Sequence, residues 1–328
     1  MTVIRALLAA AFGIAGALHF TGPAQAQAWP TKQPVKIVVP FPAGGPTDGM
    51  ARVVSDRLGT VLNQSIVIEN RGGGAGGSIG AKFVASSDPD GYTMLLTPGG
   101  SLTTGPAVHK NIGYDPVKVF TPVAQVMETP LVLAVHSDLP VKTIAELVSY
   151  IKANPGKVSW GSQGFGVAPH LLLELFKLES KTTFIHVPYR GTAPMLTAAV
   201  AGEVQVVADP LTTILPHIQS GKLRPIAIAG PTRTDRLPGV PTTGEQGYPK
   251  INSPFWLGVV VPAGTPPEIV TKLNAAFREA LNDPTTKQRL ANAGADIKIG
   301  TPDDFKNMLA RELALWTGVV NDAKITVE

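Results

Sequence analysis

The chain has 328 residues, with 28 Lys and Arg against 24 Asp and Glu and a formal net charge of +4. Its basic residues are scattered and its aromatic content is only 6%, so nothing marks a nucleic-acid surface. Cysteine is absent, which excludes disulfides and thiolate chemistry.

The chain opens with Arg5, an apolar run from Ala6 to Leu18, and two overlapping small-residue sites, Ala24-Gln25-Ala26 and Ala26-Gln27-Ala28. That order predicts a secretory signal peptide over residues 1–28, removed near Gln27 or Trp29. The apolar run is shorter than the roughly 20 residues a membrane helix needs. The expected location is therefore the periplasm. The remaining length suits two lobes and a self-sufficient core. The 30 prolines and 34 glycines punctuate periodic segments and mark short turns.

Val35–Val39 reads as a buried strand. It feeds the turn Pro40-Phe41-Pro42-Ala43-Gly44-Gly45-Pro46, and a helix opens at Thr47 or Asp48. The first amides of that helix lack partners within it, and the helix dipole adds partial positive charge there. The loop is then either an anion-binding corner or a plain strand-to-helix turn capped by Asp48. Ser65 to Glu69 reads as the next strand, followed by a glycine tract and a helix from Ile79 to Ser86. Tyr92 to Thr97 ends in the loop Pro98-Gly99-Gly100-Ser101. Phe120 to Met127 and Leu131 to His136 are further strands.

Thr143 and Glu146 have capping-box spacing for a helix to about Asn154. Val158 to Gly161 leads into Ser162-Gln163-Gly164-Phe165-Gly166 and an apolar helix over Ala168 to Leu178. Thr183 to Val187 leads into Pro188-Tyr189-Arg190-Gly191 and a helix over Ala193 to Ala201. Val204 to Ala208 ends at Asp209-Pro210, before a helix from Thr212 to Ser220 and a strand from Arg224 to Ala229. Pro238 to Lys250 reads as a connector. Phe255 to Val261 returns to strand, and long helices start near Thr265 and at Thr301. Alternating strands and helices predict an α/β fold with mostly parallel sheets covered on both faces. Such sheets bind ligands beyond the carboxyl ends of their strands.

Several motifs have competing readings. Gly72, Gly74 and Gly77 match G-x-G-x-x-G, but the acid expected about 20 residues on is missing. Gly76-Gly77-Ser78-Ile79-Gly80 matches the G-x-S-x-G elbow of hydrolases, with Asp209 and His217 as nominal partners. That leaves a secreted serine hydrolase using Ser78 as an alternative function. The histidines are dispersed, so neither a metal nor a cofactor is expected. His170 is either a helix-start packing residue or a ligand contact. Arg190 either pairs with a carboxylate or lies on the surface. Asp209 either faces the cleft or caps the following helix. Phe255 and Trp256 read as core.

The motifs together resemble the Bug-type extracytoplasmic solute receptors, the substrate-binding proteins of tripartite tricarboxylate transporters. They include Trp29-Pro30, the run Val38 to Gly45 with Thr47-Asp48, and Val67-Ile68-Glu69-Asn70-Arg71. Further matches are Pro130-Leu131-Val132-Leu133, Gly161-Ser162-Gln163-Gly164 with His170-Leu171, and Pro188-Tyr189-Arg190-Gly191. Pro238 to Thr242, Glu245 to Tyr248 and Pro262 to Pro266 complete the set. The chain departs from the family at Gly105-Pro106, where relatives often carry asparagine before Pro-x-Leu.

The resemblance implies a two-lobed type II periplasmic-binding-protein fold, with crossover strands at Leu131 to His136 and Phe255 to Val261. It implies one lobe from 29–129 and 253–328 and another from 130–252. It implies a monomeric, non-enzymatic receptor that hands a small carboxylate to membrane permease subunits. A role as a ligand-sensing receptor for a two-component system is the other reading. The loop contributing Pro42, Ala43, Gly44, Gly45, Thr47 and Asp48 is expected to grip the ligand. Ser101, Ser162, Gln163, Gly164, Gly166, His170, Tyr189, Arg190, Gly191 and Asp209 are expected around it.

Overall fold

The computed structural model describes residues 29–109 and 111–325; the segment read as a signal peptide lies outside them. Among the described residues no helix is long and apolar enough to cross a membrane.

Two sheets organise the chain. The first has the strand order β11-β4-β10-β3-β1-β2. It contains β1 (Val35–Val39), β2 (Ile66–Asn70), β3 (Thr93–Thr97), β4 (Phe120–Thr129), β10 (Phe255–Pro262) and β11 (Asp296–Ile297). The second has the order β7-β6-β8-β5-β9. It contains β5 (Leu131–His136), β6 (Ser159–Ser162), β7 (Ile185–Pro188), β8 (Val206–Pro210) and β9 (Leu223–Ala229). The chain leaves the first sheet through Pro130 and returns between Ala229 and Phe255.

The pairing follows from those two passages. β1 runs parallel to β2 and β3, and β6 runs parallel to β7 and β8. β10 is antiparallel to β3 and β4, and β5 is antiparallel to β8 and β9. β5 and β10 are each the first strand laid down after the chain changes sheets. A chain that crosses at the strands' carboxyl ends must enter the next sheet from that end. It therefore runs against its neighbours, and the carboxyl ends of β1, β3, β6, β7 and β8 stay on the side where the chain crosses.

Every residue of β6 and β8, and all but one in each of β1 and β3, is buried, because both faces of these strands are covered. Ile37 and Met94 of the first sheet, and Leu58 and Phe277 of the helices beside it, are fully buried. In the second, Trp160 meets Phe184 edge-on at 5.3 Å and Phe176 at 5.8 Å. Fully burying side chains of this size contributes about 1.5–3 kcal/mol each. One apolar cluster runs from Leu171, Leu172 and Phe176 through to Trp316, Val319 and Val320. The helix Ala168–Ser180 thereby packs against the last helix, Pro302–Asp322.

Local signals explain most helix starts. Pro46 opens Pro46–Leu62 at the position where a missing N–H costs nothing. Thr143 accepts from the Glu146 amide at 3.1 Å, but the Glu146 carboxylate takes the Lys142 amide, so the expected reciprocal box is half made. At Thr301 the box is complete, with Asp304 donating its amide and accepting that of Thr301. Two places differ from expectation. Gly100–Thr104 is not an open loop but a wide helical turn that continues into the helix Gly105–Val108. Asp283 caps an additional helix, Pro284–Asn292, by accepting from the Thr285 and Thr286 amides.

The Thr301 cap holds the start of the longest helix among the described residues. Thr301→Ala removes the half of that box made by the hydroxyl, which accepts the Asp304 amide, and leaves the residue-301 amide on the Asp304 carboxylate. It should lower unfolding stability by about 1 kcal/mol, read from the urea midpoint at unchanged slope.

Candidate functional site

The carboxyl ends of the strands open on one cavity of about 990 Å³ between the sheets. The loops after β1, β2 and β3 form one wall, and those after β6 and β7 form the other. Pro254, Phe255 and Trp256, where the chain re-enters the first sheet, line it too.

The loop after β1 is built around a buried carboxylate. Asp48 Oδ2 accepts the Gly44 amide at 2.9 Å and Arg52 Nε at 3.1 Å. Its Oδ1 accepts Arg52 Nη2 at 3.0 Å and Asn70 Nδ2 at 3.1 Å, and Asn70 Nδ2 also donates to the Phe41 carbonyl. Burial opposes its ionisation, but the bonds from Arg52, Gly44 and Asn70 outweigh burial and hold the carboxyl below its ordinary value. Gly44 sits at φ +81, a conformation other residues adopt only under strain. The first helical bond is Gly49 N–H to the Gly45 carbonyl at 3.0 Å. The Thr47 and Asp48 amides lie ahead of it, at the positive end of the helix dipole.

The loop after β2 locks onto the loop after β3. A Cβ at Gly76, which sits at φ +58, would fall 2.1 Å from the Gly100 carbonyl oxygen. Ser101 Oγ donates to the Gly76 carbonyl at 2.9 Å and receives Thr97 Oγ1 at 3.0 Å. On the opposite wall, Ser162 Oγ meets His186 Nε2 at 2.6 Å and the Gly164 carbonyl at 3.0 Å. His186 stacks on His170 at 4.6 Å, and Phe165 meets both rings edge-on. Burial pushes both imidazoles down to about 4. The two walls touch where Thr104 Oγ1 donates to the Gly166 carbonyl at 2.8 Å.

Of the residues expected at the site, Pro42, Ala43, Gly44, Gly45, Thr47, Gln163, Gly164, Tyr189, Arg190 and Gly191 line the cavity. Six do not: Asp48, Ser101, Ser162, Gly166, His170 and Asp209 stand behind the wall. Asp48 and Ser101 spend their hydrogen bonds on the loops themselves. Ser162 is fully buried, and the Gly166 amide donates to His170 Nδ1 at 3.3 Å. Asp209 is fully buried inside β8, where Gln163 Nε2 and Thr213 Oγ1 donate to it. It neither faces the hollow nor caps a helix through its side chain. Burial pushes its carboxyl up to about 7, against those two bonds.

Lining residues outside the expected set include His109, Trp256 and Glu312. Glu312 comes from the last helix, two hundred residues from the loops it supports, so no local motif announces it. Trp256 reads as core and is 4% exposed, yet one edge of it meets the cavity. The Ser78 hydrolase reading finds no support. Ser78 is buried at a helix start, and Asp209 and His217 follow from the other sheet. Among the described residues no group of three His, Asp or Glu side chains is placed to hold a metal.

Residues 50–325 match the family model described as tripartite tricarboxylate transporter family receptor. The chain belongs to that family. It is 36% identical over 323 residues to protein BugT of Bordetella pertussis, covering 98% of each chain. Among solved structures it resembles the periplasmic binding protein BugD (33% identity, TM-score 0.84, 90% of this chain and 99% of that one). It also resembles R. palustris Rpa4515 with adipate (37% identity, TM-score 0.85, 91% and 99%). The fold is thus the two-lobed α/β fold of periplasmic binding proteins, and the chain is a receptor, not an enzyme.

The Asp209 carboxyl has a signed consequence. Its folded pKa of about 7 exceeds the ordinary 3.8, so the stability it lends at low pH is lost as pH rises through about 4 to 7. Asp209→Asn lacks that loss. The melting temperature of the variant minus that of the wild type should climb across this window and then level off. The His170 and His186 contribution runs the other way, lost as pH falls from about 6.5 to about 4, and cancels in the difference. A flat difference would show that Asp209 is not buried as described.

Proposed function

We propose that the chain is a periplasmic receptor that captures a small carboxylate between two lobes and delivers it to the permease subunits of a tripartite tricarboxylate transporter. Residues 29–129 with 253–328 form one lobe and 130–252 the other, and residues 1–28 direct export. The receptor acts as a monomer. The observation that carries this reading is an amide-lined hollow between two sheets, in a chain of this receptor family. The crossings at Pro130 and before Phe255 act as hinges. A relative with adipate bound supports a carboxylate as cargo.

The ligand carboxylate sits against Pro42 to Gly45 and the Thr47 and Asp48 amides. Gln163, Gly164, Tyr189, Arg190 and Gly191 close over it. Gly44 contributes by absence of a side chain, because its own amide is committed to Asp48. Charge-assisted hydrogen bonds of this kind contribute about 1.5–3 kcal/mol each. Asp48, Ser101, Ser162, Gly166, His170 and Asp209 act at one remove, by holding the loops in shape.

A thermal-shift screen over a carboxylate library, each acid beside its neutral amide, tests the reading. A true ligand should stabilise the protein by about 2.7 kcal/mol at a hundredfold excess over Kd, and its amide should not. The position of the site is tested separately. Gly45 has extended backbone (φ −80, ψ 172), and a Cβ there would meet only the Pro42 carbonyl, at 3.5 Å. Gly45→Val should therefore fold normally yet weaken binding of that ligand at least tenfold by calorimetry. Unchanged affinity would move the carboxylate elsewhere.

A further inference from the structure

Glu312 lines the cavity from beneath the loop after β3. Its Oε2 accepts from Trp256 Nε1 at 2.9 Å and Thr103 Oγ1 at 3.0 Å. Its Oε1 accepts from Trp316 Nε1 at 3.2 Å. A carboxylate offers about four acceptor sites. Thr103 has a single proton and also faces the Gly99 carbonyl at 3.0 Å, so at most three of the four are filled. Two of the three donors are indole N–H groups, which cannot accept. The cluster is built around an acceptor and holds no group to take a proton from Glu312 except the Thr103 oxygen.

Access to this carboxylate runs past Gly99. A Cβ there would stand 3.6 Å from Glu312 Oε2, 3.4 Å from Trp256 and 2.8 Å from Thr103 Oγ1. The backbone at Gly99 is ordinary helical (φ −52, ψ −22), so it is the space, not the conformation, that favours glycine. Among the described residues that line the cavity, only Arg190 and Glu312 carry a formal charge. They stand on opposite sides, Arg190 after β7 of the second sheet and Glu312 under the first.

We propose that Glu312 selects the far end of the ligand. Its carboxylate accepts a hydrogen bond from a hydroxyl and turns away a second carboxylate, so the cargo is a hydroxycarboxylate. This rests on the carboxylate-receptor reading and names the class within it. A like charge brought to a partly dry wall is repelled, whereas a neutral donor fills the unused lone pair. The amides after β1 and Arg190 hold the ligand's own carboxylate, and the hydroxyl reaches to the Gly99 gap.

Calorimetry on the full mature chain with length-matched acids decides it. The sets are butyrate, 4-hydroxybutyrate and succinate, and hexanoate, 6-hydroxyhexanoate and adipate. At the better-fitting length the hydroxy acid should bind at least tenfold more tightly than both the plain acid and the diacid. Glu312→Gln removes the charge and adds an N–H donor, and should narrow or reverse the preference over the diacid. Gly99→Ala covers Oε2 and displaces the Thr103 hydroxyl. It should bring the hydroxy acid down to the level of the plain acid, and it reads the same contact should Glu312→Gln not fold. A diacid that binds as tightly as the hydroxy acid at both lengths overturns the proposal. So does a preference that survives in the folded variants. Acids that bind without discrimination leave the receptor reading intact and remove only the role of Glu312, whereas failure of every acid to bind removes both.

Discussion

Everything at the site depends on where the chain changes sheets. Pro130 carries it straight from β4 into β5, and the return enters β10 at Phe255. Both passages lie at the carboxyl ends of the parallel strands. β5 and β10 must then run against their neighbours, which is what the pairing shows. The remaining strands keep their carboxyl ends toward the crossings. Loops after β1, β2, β3, β6 and β7 consequently meet over one hollow, although the segments that supply them span some 150 positions of chain. A crossing at the opposite ends would scatter the same loops over two outer surfaces. The shared hollow is therefore a property of topology first and of side chains second.

Strands and loops were legible in the sequence because their signals are local. Val35–Val39 and Leu131–His136 appear with the bounds expected of them. An apolar run between Pro or Gly residues leaves little else to be. Helix starts at Thr143 and Thr301 were legible through their caps. Where signals conflicted, the reading went astray. Gly99-Gly100 and Gly105-Pro106 look like loop punctuation, yet the chain stays helical from Gly100 to Val108. Tertiary support explains this. Tyr114 donates to the Ser101 carbonyl at 2.7 Å, and Thr104 holds Gly166 across the gap. Neither partner is visible from the segment itself.

The roles of the polar residues were harder to read than their positions. Asp48, Ser162 and Asp209 were all expected at the ligand, but sequence cannot say on which side of a backbone a short side chain stands. In each case the carboxylate or hydroxyl is satisfied by neighbouring protein groups, several from other elements: Gly44, Arg52 and Asn70 for Asp48, Gly164 and His186 for Ser162, Gln163 and Thr213 for Asp209. That outcome has a physical reason. A glycine-rich loop that must present bare amides to a ligand has no side chains to stiffen it. Buried polar groups behind it supply the rigidity instead, because a buried donor or acceptor left unmade costs about 1–3 kcal/mol.

This division of labour also bears on affinity and choice. Arg190 is the only cation that lines the cavity among the described residues, while Glu312 lines it and Asp209 lies one side chain behind. Burial raises the pKa of both carboxyls against the hydrogen bonds they accept, that of Asp209 to about 7, and the donors to each are neutral side chains, not cations. On the proposed reading, an organic acid gains its binding energy from oriented amides and meets the acidic side chain of Glu312 on the far wall. Amide attraction falls off within about a turn of the helix end, whereas repulsion in a dry cleft reaches further. In the proposed pose the near end of the ligand is thus held by dipoles at close range, and the far end feels chiefly Glu312. A receptor arranged this way accepts one carboxylate where the amides converge and discriminates by what the rest of the molecule carries.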